Sequence, residues 1–248
     1  MEYLTGNYFS LVDKGMVRKS NDDHAATALN AFGNVLLIVA DGMGGAAKGE
    51  FASKTACKSI VSDFQNLEKE LTNPKAIGKW LNKVISKANT KIYNKSEKNV
   101  EYKGMGTTLS LVMIVKNILV TAQVGDSRVY LLKDNKLTQI SVDQTYAQYL
   151  VNEKKISYEE AMTHKDRHVL TNALGTKKKT NIDIQSFEYN REKILLCSDG
   201  LYNNVPPTVI ESILKGNDSL DRKCFQLINY GNANGGSDNM AVVIWESK

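Results

Sequence analysis

Val35-Leu36-Leu37-Ile38-Val39-Ala40 runs without a break into Asp41-Gly42-Met43-Gly44-Gly45. The six apolar residues are too few for a packing helix. Rich in β-branched side chains, they read as a strand buried on both faces. A carboxylate at the tip of such a strand is rigidly aimed, and the glycines after it let a metal ion or a phosphate approach the backbone. An Asp-Gly turn alone would be ordinary, but the arrangement recurs. Ile194-Leu195-Leu196-Cys197-Ser198 leads into Asp199-Gly200, and Leu119-Val120-Thr121-Ala122-Gln123-Val124 leads into Gly125-Asp126-Ser127. A fourth carboxylate stands in Gly235-Gly236-Ser237-Asp238-Asn239, just ahead of the last apolar run. Aspartates from distant parts of the chain, each at a strand edge, suit a site for two hard cations. Such ions take oxygen ligands, keep water, and sit ~3.5–4 Å apart when they share a bridging group.

Composition narrows the chemistry. The 248 residues, 42% hydrophobic and 24% charged, fit one ordinary domain with a large core. No apolar run approaches the ~20 residues of a membrane span, and Met1-Glu2-Tyr3-Leu4-Thr5 has no basic and apolar leader pattern, so a cytoplasmic protein is expected. Cys57, Cys197 and Cys224 lack metal-ligand spacing, and none begins a Cys-x5-Arg loop, which excludes thiolate phosphatase chemistry. Three histidines (His24, His164, His168) leave little for an imidazole zinc site. Carboxylates must therefore carry the charge chemistry, which points to Mg²⁺ or Mn²⁺. A net charge of +5, spread over scattered lysines, gives no nucleic-acid patch, and Lys177-Lys178-Lys179 reads as a solvated loop.

Periodicity orders the elements. A strand over residues 6–13 precedes a polar loop holding Arg18, Asn21, Asp22 and Asp23, and a short strand at Ala25–Leu29 follows. A helix is expected from Gly49 to about Leu71, with Ala52, Ala56, Ile60, Phe64 and Leu67 inward, and another from Pro74 to about Lys95. Strands are expected at Thr107–Val115, Asn117–Val124, Arg128–Lys133 and Lys136–Ile140, the last pair joined by the Asp134-Asn135 turn. Residues 144–174 revert to helical spacing and look like a peripheral flap. Strands at Ile182–Glu188 and Lys193–Ser198, helices near Thr208–Leu214 and Asp221–Ala233, and a strand at Met240–Trp245 complete the chain. Two consecutive helices followed by a strand meander exclude a doubly wound parallel sheet. The expected class is α+β, with mostly antiparallel sheets covered by helices.

Gly15-Met-Val-Arg18-x-x-Asn21-Asp22-Asp23, Asp41-Gly-Met-Gly-Gly45, Gly106-Thr-Thr108, Gly125-Asp-Ser-Arg128, Ser198-Asp-Gly200 and Gly236-Ser-Asp-Asn239 occur in that order. Together they resemble the metal-dependent serine/threonine protein phosphatases of type 2C in their compact bacterial form, over essentially the whole chain. The resemblance implies a four-layer α-β-β-α sandwich forming a single catalytic domain over residues 1–248, with a flap at about 144–175 that borders the substrate groove. It implies that Asp41 bridges two Mn²⁺ or Mg²⁺ ions, that the Gly42 carbonyl helps bind one, and that Asp199 and Asp238 ligate the other. Asp22 and Asp23 would order the metal waters, and Arg18 would grip the substrate phosphate. Asp126, with Asp199 shared, matches a third metal site of bacterial members.

The implied reaction is hydrolysis of phosphoserine or phosphothreonine by a metal-bridging water. The implied partners are phosphoproteins, a Ser/Thr protein kinase among them, with no nucleic acid, no membrane and a monomeric state. The chain departs from the family's pattern at Asp143-Gln144-Thr145, where a histidine is frequent, at Asp22, where many relatives carry glutamate, and at Met43, where eukaryotic relatives carry histidine. No side-chain general acid is therefore evident, and a metal-bound water is the candidate. Two alternatives stand beside this reading. One is a catalytically silent phosphoprotein-binding module, whose mark would be a lost core aspartate; the other is a phosphatase of small phosphate esters.

Overall fold

The computed structural model describes residues 5–45 and 48–248; the first four residues, read above for a leader pattern, lie outside them. The first half of the chain runs β1 (Gly6–Asp13), β2 (Asp23–Leu29), β3 (Val35–Met43), α1 (Lys48–Gln65), α2 (Pro74–Lys98), β4 (Gly106–Thr107), β5 (Leu109–Val115) and β6 (Ile118–Val124). There follow β7 (Arg128–Lys133), β8 (Lys136–Gln139), α3 (Tyr146–Asn152), α4 (Tyr158–Thr163), β9 (Asp183–Glu188) and β10 (Lys193–Cys197). The chain closes with α5 (Asp199–Tyr202), α6 (Pro207–Lys215), α7 (Leu220–Ala233) and β11 (Met240–Ser247).

The strands form two sheets, β1-β11-β10-β7-β8 and β2-β3-β5-β6-β9, with β4 paired to the end of β3 and every ladder antiparallel. Alternation along each strand decides which layer receives which side chain. From β3, Leu36, Ile38 and Ala40 pack under α1 and α2, whereas Val35, Leu37 and Val39 face the other sheet. From β11, Met240, Val242 and Ile244 pack under α6 and α7, whereas Ala241, Val243 and Trp245 meet β3 in the middle. Val35–Ala40 of β3 and Met240–Trp245 of β11 are thus apolar at every position, and the layers run helix, sheet, sheet, helix. Trp245, wholly buried between the sheets, donates its indole N–H to Tyr189 Oη at 2.7 Å.

Two expectations shift. α1 ends at Gln65, before Leu67: the Asn66 backbone amide makes the last four-residue helical bond, to the Ser62 carbonyl (3.2 Å), which the Asn66 side chain also bonds (2.8 Å), and the Leu67 amide turns to the Phe64 carbonyl instead (3.3 Å). The expected strand at Thr107–Val115 is two strands, broken at Thr108, whose main chain and side chain both turn to Asp41. The insertion is short-helixed, as its polar, Lys-rich composition predicts: it holds α3 and α4, and of its apolar set Leu150, Val151 and Ile156 are half-buried while Ala161 is buried. The Asp134-Asn135 hairpin has both residues at positive φ (48° and 61°), as a tight turn matched to the strand twist requires.

The inter-sheet layer yields a direct test. Leu37→Ala, at a wholly buried position there, is expected to cost about 2–5 kcal/mol. Urea unfolding would show a lower midpoint at unchanged slope; an unmoved midpoint would contradict this packing.

Candidate active site

The site begins at the end of β3. The Asp41 amide donates to Thr108 Oγ1 (2.9 Å), and its carbonyl accepts from the Thr108 amide (2.8 Å) and the Thr107 hydroxyl (2.9 Å). The backbone there is fully engaged, so only the carboxylate projects. Register places Asp23 of β2 opposite Asp41. The strand continues through Gly42 and Met43, which pair with β4, rather than stopping at the motif. A Cβ on Gly42 would collide with the Gly49 carbonyl and the Asp22 carbonyl, so glycine lets the start of α1 close over the strand end. Asp22 is held in that contact: its carbonyl accepts from Ser53 Oγ (2.6 Å) and the Gly42 amide (3.2 Å).

The second sheet brings the remaining carboxylates to the same edge. Ser198, at the end of β10, donates its hydroxyl to Asp23 Oδ2 (2.6 Å) and accepts the Ala241 amide (2.8 Å), linking the two sheets through one buried oxygen. Asp199 is then the first residue of α5, a helical turn rather than the glycine turn read from Asp-Gly. Asn239 organises the Arg18 loop: its amide group donates to the Lys14 and Ser20 carbonyls (both 2.8 Å), and its oxygen accepts the Asp22 amide (2.8 Å). Asp238 accepts the Asn239 amide with one oxygen and Arg18 Nη2 with the other, each at 2.8 Å. The Arg18 fork remains half exposed.

The third flank is built around Asp126. Arg128 donates to both oxygens of Asp143 (2.7–3.2 Å), and its guanidinium lies 3.6 Å from the centroid of the Tyr202 ring. Tyr202 Oη in turn reaches Asp126 Oδ2 at 3.4 Å. Gln144, where the family's frequent histidine would stand, accepts the Gly125 amide (3.0 Å) and Asn172 Nδ2 (2.8 Å) with its side-chain oxygen. That amide ties the base of the flap to the Asp126 turn. From the flap, His168 Nδ1 comes 3.9 Å from Asp199 Oδ2. His24 does not join the site; it is half-buried on β2, its pKa lowered by burial and then by Lys54 and Lys58.

Electrostatics follow from this crowding. Burial pushes the Asp23 carboxyl up to about 7 against the Ser198 hydrogen bond, with Asp199 and Asp238 adding to the rise. Burial and then Asp199 push Asp126 up to about 8. Asp41 is raised by burial and then by Asp23, Asp199, Asp126 and Asp238, and Asp199 is raised by burial and then by Asp238. Asp23 Oδ1 is buried without a hydrogen-bond partner among the described residues. Mutually repelling carboxylates and an orphaned anionic oxygen fit a divalent cation. Among the described residues no three carboxylate, imidazole or thiol side chains converge as a ready-made cage for one ion.

Sequence reasoning missed Tyr202, Asn239's role as a loop clamp and the Ser198 bridge. Only Asn239 and Ser198 lay inside a quoted motif; no spacing signal marks Tyr202. The resemblance implies that a flap backbone carbonyl near His168 reaches the third ion, and the structure brings the His168 ring to Asp199.

The sequence profile described as protein phosphatase 2C matches residues 17–242. The serine/threonine phosphatase stp of Listeria welshimeri is 38% identical over 235 residues, 94% of this chain and 93% of that protein. The crystal structure of the serine/threonine phosphatase Stp1 from Staphylococcus aureus superposes with a TM-score of 0.91 at 31% identity, covering 100% of this chain and 98% of that one. The catalytic domain of the serine/threonine protein phosphatase PstP, solved with two manganese ions, gives 0.84 at 32% identity, with 98% and 99% covered. The chain belongs to the protein phosphatase 2C family and is a metal-dependent serine/threonine protein phosphatase. In the compact bacterial form represented by these relatives it spans nearly the whole of the stp protein.

The raised carboxyls set a pH dependence in the cation-free protein. The folded state holds protons on Asp23 and Asp126 that the unfolded chain has released, so stability is fullest below about pH 4 and falls as pH rises to about 7 for Asp23 and about 8 for Asp126. In EDTA the melting temperature is expected to be lower at pH 8.5 than at pH 5.5, with added Mn²⁺ reversing most of the loss. A flat profile in EDTA would contradict the crowding.

Proposed function

We propose that Asp41, Asp199, Asp238 and the Gly42 carbonyl hold two divalent cations, Mn²⁺ or Mg²⁺, and that Asp126 with Asp199 holds a third. The observation carrying this reading is the convergence of strand-end carboxylates from both sheets, among them Asp41, Asp126 and Asp199, raised by burial and then by neighbouring carboxylates. Bound there, the ions would supply a nucleophilic water at neutral pH and offset the charge on phosphate. The chain's own residues do the rest. Asp22 and Asp23, fixed by Asn239 and Ser198, orient the water around the ions. Arg18 presents an exposed fork whose Nη2 bonds Asp238, and it transfers to the phosphate oxygens when substrate enters, since a planar guanidinium matches them in two places. Tyr202 and the Arg128–Asp143 pair hold Asp126 in place.

The substrates are phosphoserine and phosphothreonine in proteins, a Ser/Thr protein kinase and its targets among them. We take residues 1–248 as one catalytic domain acting as a monomer in the cytoplasm. No helix among the described residues is long and apolar enough to cross a membrane, which agrees with that location. All four candidate ligand aspartates are present, which favours an enzyme over a silent binding module.

Release of phosphate from a phosphothreonine peptide tests the reading with Mn²⁺, with Mg²⁺ and with chelator. Asp199→Asn is expected to lower kcat beyond the ~10–100-fold typical of outer-shell partners and to weaken Mn²⁺ binding by calorimetry. Arg18→Ala is expected to raise KM with Mn²⁺ binding intact. Folded protein inactive with every ion would sink the enzyme assignment.

A further inference from the structure

Helix α2 carries seven lysines and one glutamate in its 25 residues. Its later lysines are engaged: Lys87 with Asp63 (2.7 Å), Lys91 with Ser59 (3.0 Å), and Lys95 over the Tyr102 ring (4.6 Å). Lys75, Lys79 and Lys83 are exposed, and among the described residues no carboxylate pairs with them. Four-residue steps advance only about 40° beyond a full turn, so these three lysines span roughly 80° of one helix face.

A second basic element is fastened to the same helix further along, at Asn89. Lys177, Lys178 and Lys179 read from sequence as a solvated loop, but their backbone is fastened to α2 by buried Asn89. Its amide nitrogen donates to the Lys177 (3.0 Å) and Lys178 (3.2 Å) carbonyls, while its oxygen accepts the Gly175 amide (2.7 Å) and the Thr180 hydroxyl (2.9 Å). The three side chains remain exposed and without a carboxylate partner among the described residues. From that turn the chain runs back along α2 as β9, approaching it at Gly78 and Ile184. A groove of about 520 Å³ lies between them, with Lys75 and Lys79 on one wall and Ile184, Gln185 and Ser186 on the other. β9 is the last strand of its sheet, so its outer edge has no strand partner among the described residues.

We propose that this groove docks an extended acidic segment of the phosphoprotein substrate, remote from the phosphorylated residue. This rests on the phosphoprotein phosphatase reading above and adds a substrate preference to it. Lysines held close together without carboxylates repel one another, and an acidic chain relieves that cost. From Lys75 to Asn89 the helix extends roughly 21 Å, the length of about six residues of extended chain. The open β9 edge offers main-chain pairing to such a chain. Nucleic acid suits the groove less well, because its lining has neither an arginine fork nor an aromatic stacking platform. A bilayer is flat and cannot enter a concave wall.

The test uses two phosphothreonine peptides that differ only in a six-residue tail, acidic or neutral, joined by a Gly-Ser spacer. Each is assayed with the native enzyme and with the Lys75→Glu/Lys79→Glu/Lys83→Glu variant. For the native enzyme the acidic tail is expected to lower KM about tenfold at unchanged kcat, with the advantage lost in 0.5 M NaCl. In the variant the advantage disappears while hydrolysis of p-nitrophenyl phosphate stays at the native rate. Equal KM for both peptides in the native enzyme, or an advantage that survives in the variant, would overturn the proposal. If the variant does not fold, the salt titration of the native enzyme decides alone. Native protein that binds polyadenylate or phosphatidylglycerol vesicles more tightly than the acidic peptide would also overturn it. Loss of p-nitrophenyl phosphate hydrolysis in the native enzyme would instead count against the phosphatase reading itself.

Discussion

Repulsion among carboxylates is the constraint on which the site depends. Asp41, Asp23, Asp199 and Asp126 each hold their protons more tightly because of burial and because of one another. Left uncompensated, such a cluster destabilises the fold that builds it. Divalent cations held there, as proposed above, would compensate it, and the groups that cost stability would be the groups that create the chemistry.

The sandwich exists to make that crowding reproducible. β2 and β3 deliver Asp23 and Asp41 from one sheet, and β10 and β11 flank Asp199 and Asp238 on the other. The sheets are locked by alternating side chains, and at the site by the Ser198 hydroxyl, which binds Asp23 across the gap. Asn239 and Thr108 perform the same service for the Arg18 loop and for the backbone of Asp41. The flap is attached more lightly. Its base is bonded to the Gly125 turn through Gln144, and its two helices bury little beyond Ala147 and Ala161.

Legibility tracked how local the physics was. Val35–Ala40 and Met240–Trp245 are apolar at every position and could only be strands covered on both faces, and the Asp134-Asn135 turn could only close a hairpin. The end of α1 was misread because Leu67 continued the apolar spacing, while its amide bonds the Phe64 carbonyl, three residues back, and so leaves the α-helical pattern. The flap was legible as a short-helixed peripheral element because its helical spacing comes with few apolar residues and many polar ones. Tyr202 carries no local signal, since its role comes from stacking on Arg128, distant in sequence. The three-lysine turn is exposed, as read, but the buried amide of Asn89 that fastens its backbone lies far away in sequence and gave no local signal.

By itself the sequence determined the two-sided strands, the glycines that the strand ends require, and the identity of the carboxylates. These follow from hydrophobic periodicity and backbone sterics, which act over a few residues. Only the tertiary structure decided which carboxylates become neighbours, which hydroxyl bridges the sheets, and which lysines share a groove. Those outcomes depend on antiparallel register and layer stacking, which join residues as far apart as Asp23 and Ser198 and leave no trace in any short stretch of chain.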